Sequence, residues 1–238
     1  MIQTSFLSVV CNRTRPAPAT ADAEFIAVDD LSTERYLCKG QAKGVFLPAT
    51  EWICAHLGAA CGLPIPPIAV VELTTAPGVY YFGSQWLGGA VDVLVGFGQV
   101  SNPDVFGKTL AVDLFAHNVD RHIGNYLYLD LAGEVVARII DFSRAWYFSG
   151  WPLPALPLPA GCHTIQSLQH WMVRYQGSYV RPTAVLQAIS DLPDDWMRET
   201  LATMPSAWLS KDDRLALRQW WVSEARRTRI TSATQNLP

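Results

Sequence analysis

Apolar positions come in short runs through the first third of the chain. Phe6–Val10, Glu24–Val28 and Arg35–Lys39 are mixed or alternating stretches, separated by Arg-Pro-Ala-Pro and Asp-Asp turn chemistry. This predicts three strands in a meander. Pro48 then opens a segment with Trp52, Ile53, His56, Leu57 and Ala60 at helical spacing, and Gly62 followed by Pro64 stops it. Two more strands are expected at Ile68–Leu73 and Val79–Gln85, with the turn at 74–78. From Trp86 the glycines at 88, 89, 96 and 98 predict a flexible crossing, and Asp104–His117 returns to a helical pattern. Two apolar runs, Tyr126–Leu129 and Val135–Ile140, read as a hairpin turning around Gly133. Trp151–Ala160 is Pro-rich and expected to be extended; Thr164–Tyr175, Thr183–Ile189, Asp194–Thr203 and Lys211–Arg227 are expected helices. The pattern divides at the crossing into a strand-rich part, 1–86, and a mainly helical part, 87–238.

Composition fits one large domain or two small lobes. Of 238 residues half are hydrophobic and only 16% charged, enough apolar surface for a sizeable core. A net charge of −3 with no dense run of Lys or Arg gives no footprint for a polyanion, so nucleic acid is not an expected partner. Five cysteines, an odd number without a C-x-x-C pair, suggest neither a disulfide framework nor a zinc site. Met1 to Cys11 lacks a basic lead-in and is too short in its apolar run for a signal-peptide core, and no stretch approaches the roughly 20 apolar residues of a membrane span. A cytoplasmic protein is expected.

The strongest chemical signal is Asn118-Val119-Asp120-Arg121-His122-Ile123-Gly124-Asn125, followed beyond the hairpin by Asp141-Phe142-Ser143. Phosphoryl transfer moves a dispersed anion, so it needs cations to neutralise charge and a carboxylate to orient the attacking hydroxyl. Asp120 and Asn125, five positions apart on a loop leading into a strand, can divide the acceptor and metal tasks. Asp141, at the other open end of the hairpin, meets the same metal as Asn125. His117 and His122 are read as structural, orienting the loop through hydrogen bonds. Arg121 has no assigned role; the nine Trp residues are read as packing, and Arg226, Arg227 and Arg229 as a solvated helix terminus.

The order D-R-H-x-x-N, then a hairpin, then I-D-F-S resembles the catalytic and metal motifs of phosphoinositide kinases and of HipA-like kinases. Upstream, Tyr36-Leu37-Cys38-Lys39 resembles the strand bearing the ATP lysine, and Glu51 on the following helix resembles the glutamate that pairs with it. Gly62-Leu63-Pro64-Ile65-Pro66-Pro67 resembles the helix exit of HipA-like kinases, which makes that family the nearer one. The resemblance covers about residues 1–150. It implies a protein-kinase-like two-lobed fold, with a small antiparallel sheet plus one helix and a larger helical lobe. It also implies ATP and Mg as cofactors, Lys39 and Glu51 at the phosphates, and a hinge over Tyr80–Leu87, with Gln85 and Trp86 against the nucleotide. The acceptor implied is protein Ser/Thr, with a small molecule or lipid head group as the alternative. An antitoxin-type regulatory protein partner is an analogy from that family. No G-x-G-x-x-G occurs in Asn12–Thr20 and no A-P-E follows Asp141, so the usual phosphate loop and activation-loop control are not expected. A catalytically idle nucleotide-binding scaffold and a metal hydrolase using Asp120, His117, His122 and Asp141 are the rival readings.

Overall fold

The computed structural model describes residues 7–17, 22–29, 32–175 and 182–237. Phe6, at the start of the first predicted strand, and 18–20, at the end of the Asn12–Thr20 segment, lie outside them. Eight strands occur among the described residues: β1 Leu7–Cys11, β2 Arg13–Pro16, β3 Phe25–Val28, β4 Arg35–Lys39, β5 Ile68–Leu73, β6 Ala76–Gln85, β7 Tyr126–Leu131 and β8 Glu134–Ile139. They alternate with α1 Leu47–Ala60, α2 Val93–Gln99, α3 Asp104–Ala116, α4 His163–Arg174, α5 Thr183–Asp191, α6 Trp196–Ala202, α7 Lys211–Trp221 and α8 Glu224–Gln235.

The opening is not the simple meander predicted. The sheet order is β1-β5-β6-β4-β3-β2, and β1 lies parallel to β5 while every other neighbouring pair is antiparallel. Asn12 alone separates β1 from β2, so one run of chain carries both outer strands and curls the sheet round on itself. A ring of five strand directions cannot alternate throughout, and one parallel pair is the geometric consequence. The expected all-antiparallel sheet is corrected accordingly. Val9, Cys11, Tyr36, Cys38, Ala69 and Val71 fill the inside of the curl as a small core of their own. Gly83 is required there: a Cβ would stand 2.5 Å from a Val71 methyl and 3.1 Å from Tyr36 Cβ.

A second, larger core joins α1, α3, the β7–β8 hairpin and the C-terminal helices. Pro in its first turn suits the start of α1, and Gly62 at φ +76° takes the left-handed conformation just beyond its end. All its residues from Leu47 to Gly58 are buried, so α1 is enclosed on every side rather than amphipathic. Trp52 and Trp208 sit in this core with partners for their indole N–H groups, Thr203 Oγ1 at 3.3 Å and Tyr80 O at 3.0 Å.

Three further expectations change. The glycine-rich crossing contains α2, capped by the Asp92 carboxylate accepting from Leu94 N and Val95 N, with Gly96 buried against Tyr128. The long final helix is two, because Ser223 caps α8 through Ala225 N after α7 has ended at Trp221. Arg226 and Arg229 are buried rather than solvated. Arg226 donates to the carbonyls of Ile189, Ser190 and Leu192, and Arg229 to those of Leu114, Phe115 and Pro154. Each thereby closes the C-terminal end of another helix, α5 and α3 respectively.

Candidate functional site

Lys39 ends β4 in register with Phe82 of β6, and Glu51 lies on the first turns of α1. The strand delivers an ammonium and the helix a carboxylate into one buried space, where Lys39 Nζ meets Glu51 Oε1 at 2.5 Å and Asp141 Oδ1 at 2.9 Å. The second oxygen of Glu51 accepts the Phe142 N–H at 3.0 Å, so the helix is bound to the segment carrying Asp141. Asp141 itself has φ +63°, a left-handed conformation that Asp tolerates better than most residues. Its Oδ1 also accepts the Ser143 N–H at 3.1 Å.

Two acids share one ammonium, and their protons respond differently. Burial alone would depress Lys39, but Glu51 and Asp141 outweigh it and hold the ammonium above its ordinary range. Burial would raise Asp141, but Lys39 and the Ser143 hydroxyl and amide hold it well below the usual carboxylate range. For Glu51, burial wins over the pull of Lys39 and pushes the carboxyl up to about 7, with the Asp141 charge adding to it.

The loop before β7 is built around a buried pair that the sequence reading left without a role. Asp113 of α3 takes Arg121 in a two-point contact, Nε to Oδ2 at 2.9 Å and Nη2 to Oδ1 at 3.1 Å, with both side chains fully buried. Arg121 Nη1 donates to Asn125 O and Ile140 O, and its plane lies 4.7 Å from the Phe142 ring. One guanidinium therefore clips the loop to the strand end that precedes Asp141, as does the Ile140 N–H to Asn125 O bond at 3.1 Å. Asn118 donates to Asp113 at 2.8 Å and receives the Asp120 N–H at 3.3 Å. Asn125 Nδ2 donates to Asp120 O at 2.9 Å, which leaves the amide oxygen for another partner. Asp120 Oδ1 is 2.5 Å from His163 Nδ1 at the start of α4. His122 Nδ1 accepts the Gly124 N–H at 3.1 Å, and His117 Nδ1 lies 3.3 Å from Arg229 Nη2. Neither Nδ1 is free for a metal, and no group of three or more metal-ligating side chains occurs among the described residues.

A cleft of about 140 Å³ gathers Lys39, Glu51, Asp141, Gln85 and Trp86, between apolar walls that include Leu37, Ile65, Phe82, Leu127 and Ile140. Asp120 and Asn125 are not in its lining; they adjoin it through Gly124. The Gln85 and Trp86 amides are bound to Pro67 O at 2.8 Å and Arg35 O at 2.7 Å, so neither N–H is left for a ligand.

The model of the HipA-like kinase family matches residues 25–146, just over half of the chain and all seven residues singled out above as site candidates. The chain belongs to the HipA-like kinase family. The proinflammatory kinase CtkA of Helicobacter pylori has a similar fold, with a TM-score of 0.61 over 96% of this chain and 98% of that one, at 12% identity. A chain of the Shewanella oneidensis MR-1 toxin–antitoxin complex of HipA, HipB and operator DNA is similar at TM-score 0.51 and 11% identity, over 94% of this chain and 65% of that one. No curated protein sequence matches it. The mixed α+β fold with a curled sheet and a helical remainder is thus that of known kinases, and no helix among the described residues is long and apolar enough to cross a membrane.

Three residues of this HipA-like site escaped the sequence reading. Asp113 is one polar position on a helix and carried no local signal. His163 is 43 residues from Asp120 and lies just beyond a Pro-rich run. Asp22 lines the cleft and pairs with Arg144 at 3.2 Å, in a stretch whose sequence offers only a short polar turn.

Proposed function

We propose that this HipA-like kinase uses ATP and Mg to transfer the γ-phosphoryl group to a hydroxyl, with protein Ser/Thr as the acceptor. The buried Lys39–Glu51–Asp141 cluster, bound through Phe142 N–H to the helix that carries Glu51, is the observation that carries this reading. Lys39, held charged, would bind the ATP phosphates, and Glu51 would fix its aim. The base would lie in the cleft against Gln85 and Trp86, reached through side chains and apolar walls because both amides are committed elsewhere.

The donor set fits magnesium. Both N–H contacts to Asp141 use Oδ1, so Oδ2 is engaged by neither, and the Asn125 amide oxygen is the free end of a fixed side chain. One carboxylate and one amide oxygen, completed by water and phosphate, suit a hard octahedral cation. When bound, such a cation neutralises the charge on the phosphates. Asp120 would accept the acceptor's proton as the new O–P bond forms and the bond to the bridging oxygen of ADP breaks. Arg121 and Asp113 would keep that loop in register without touching substrate. The part that binds nucleotide would end near Trp86, where the strand-rich segment gives way to helices.

The test is transfer of radiolabel from γ-labelled ATP, with Mg, to the protein itself and to a Ser/Thr peptide library, beside Asp120→Ala and Asp141→Ala. Label on Ser or Thr that both variants lose supports the reading. ATP binding without transfer to any peptide, lipid head group or small alcohol would leave the idle scaffold as the better account.

A further inference from the structure

Behind the nucleotide cleft lies a second and roomier cavity of about 570 Å³, which the proposed reaction does not use. It opens between the C-terminal turn of α1, the exit segment Gly62–Ile65, β8 and α6. Ile65 lines both cavities, so a single side chain belongs to the wall between them. Ala59, Leu63, Ile65 and Trp196 supply an apolar surface, and the volume lies within the range of sites that take small organic molecules.

Arg138 gives this cavity its chemistry. It lines the wall from β8, and its Nε is buried with no hydrogen-bond partner among the described residues. No carboxylate among those residues stands within ion-pair distance of it, whereas Arg121 and Arg144 each have one. A guanidinium presents its donors in a fixed fork suited to a carboxylate, and a buried donor left unmatched is destabilising. Thr200 adds a hydroxyl to the same lining, and Glu199, at the exposed edge, disfavours a ligand of high negative charge.

We infer that the cavity is a binding site for a small monocarboxylate with an apolar body, its carboxylate on Arg138 and its body against Leu63, Ile65 and Trp196. The site is separate from the nucleotide cleft and stands whether or not the chain transfers phosphate.

Phenylacetate, 3-phenylpropionate and 4-phenylbutyrate, each beside its neutral carboxamide, are titrated into the full chain and followed by saturation-transfer NMR and calorimetry. At least one acid is expected to bind saturably at submillimolar concentration, with its amide at least tenfold weaker. Arg138→Met should abolish the preference for the acid, and Ala60→Trp, which fills the cavity from its exposed rim, should abolish binding. An unchanged circular-dichroism spectrum and a cooperative urea transition show that both variants are folded. No saturable binding by any of the three acids, equal binding of acid and amide, or unchanged binding by Arg138→Met overturns the inference.

Discussion

Asp113 and Arg121, eight residues apart on a helix and on the loop that follows it, form a two-point ion pair from which water is excluded. The pair joins α3 to the backbone on both sides of the hairpin, because Arg121 also holds Asn125 O and Ile140 O. Removing one partner strands a buried charge, so Asp113→Ala should destabilise the protein by about 3–5 kcal/mol. Arg121→Lys should fare little better, since an ammonium cannot reproduce the planar fork. Urea unfolding measures both; a loss below about 1 kcal/mol for either would contradict this account.

Lys39→Met removes the cation that two carboxylates share. Phosphoryl transfer should fall by about 10²–10³-fold, the loss seen when one preorganised electrostatic contact is removed. Asp141→Ala should match it and Glu51→Gln should lose less, because Glu51 holds Lys39 and the Phe142 N–H in place without touching substrate. Single-turnover rates at saturating ATP give the comparison, and a Lys39→Met rate within threefold of the unmodified protein would remove Lys39 from the site.

Acid should weaken the fold well before Asp141 is protonated. Burial, with the charge of Arg229 beside it, pulls His117 down from 6.5 to about 4, and burial does the same to His56. Groups depressed in the folded state take up protons more readily once the chain unfolds. Their contribution is therefore whole above about pH 6.5 and is lost as pH falls toward 4. Urea midpoints at pH 7.5, 6 and 4.5 should decline in that order, with a shallower decline in His117→Gln. Midpoints that stay level between pH 7.5 and 4.5 would show that neither ring is held neutral.

Arg229→Met should lower stability by about 2 kcal/mol, because the carbonyls of Leu114 and Phe115 at the end of α3 lose their donor. Those carbonyls immediately precede His117 and the loop with Asp120. Turnover should then fall further than Lys39-dependent ATP binding does. Parallel calorimetric titration with an ATP analogue separates the two effects, and equal losses in both would mean that α8 supports the nucleotide cleft rather than the loop.

Much of the site was legible because its members lie where local pattern fixes them. Asp120, Asn125 and Asp141 stood out as candidates by their spacing at the open ends of a hairpin, whereas Lys39 and Glu51 stood out through the resemblance of their strand and helix to those of HipA-like kinases. Asp113, His163 and Asp22 were not legible, since their partners lie across the fold and nothing near them in sequence marks the contact. The same limit explains Arg226 and Arg229: three closely spaced arginines near a helix end look solvated until helices from elsewhere bring carbonyls to them. Seven of the eight described strands were found, most to within a residue or two, but β2 Arg13–Pro16 fell in a stretch read as a turn, and the order of the strands was not legible. Asn12 looks like the beginning of a turn, and only the closure of the sheet reveals that the chain runs straight through it.

That closure also limits how another chain could attach. Because β1 and β2 are two halves of one run, the two edge strands among the described residues are only five and four residues long. A template so short gives an incoming strand little backbone to pair with. Such short edges disfavour edge-to-edge joining with a second copy, and a regulatory protein is expected to recognise side chains on helices or loops instead.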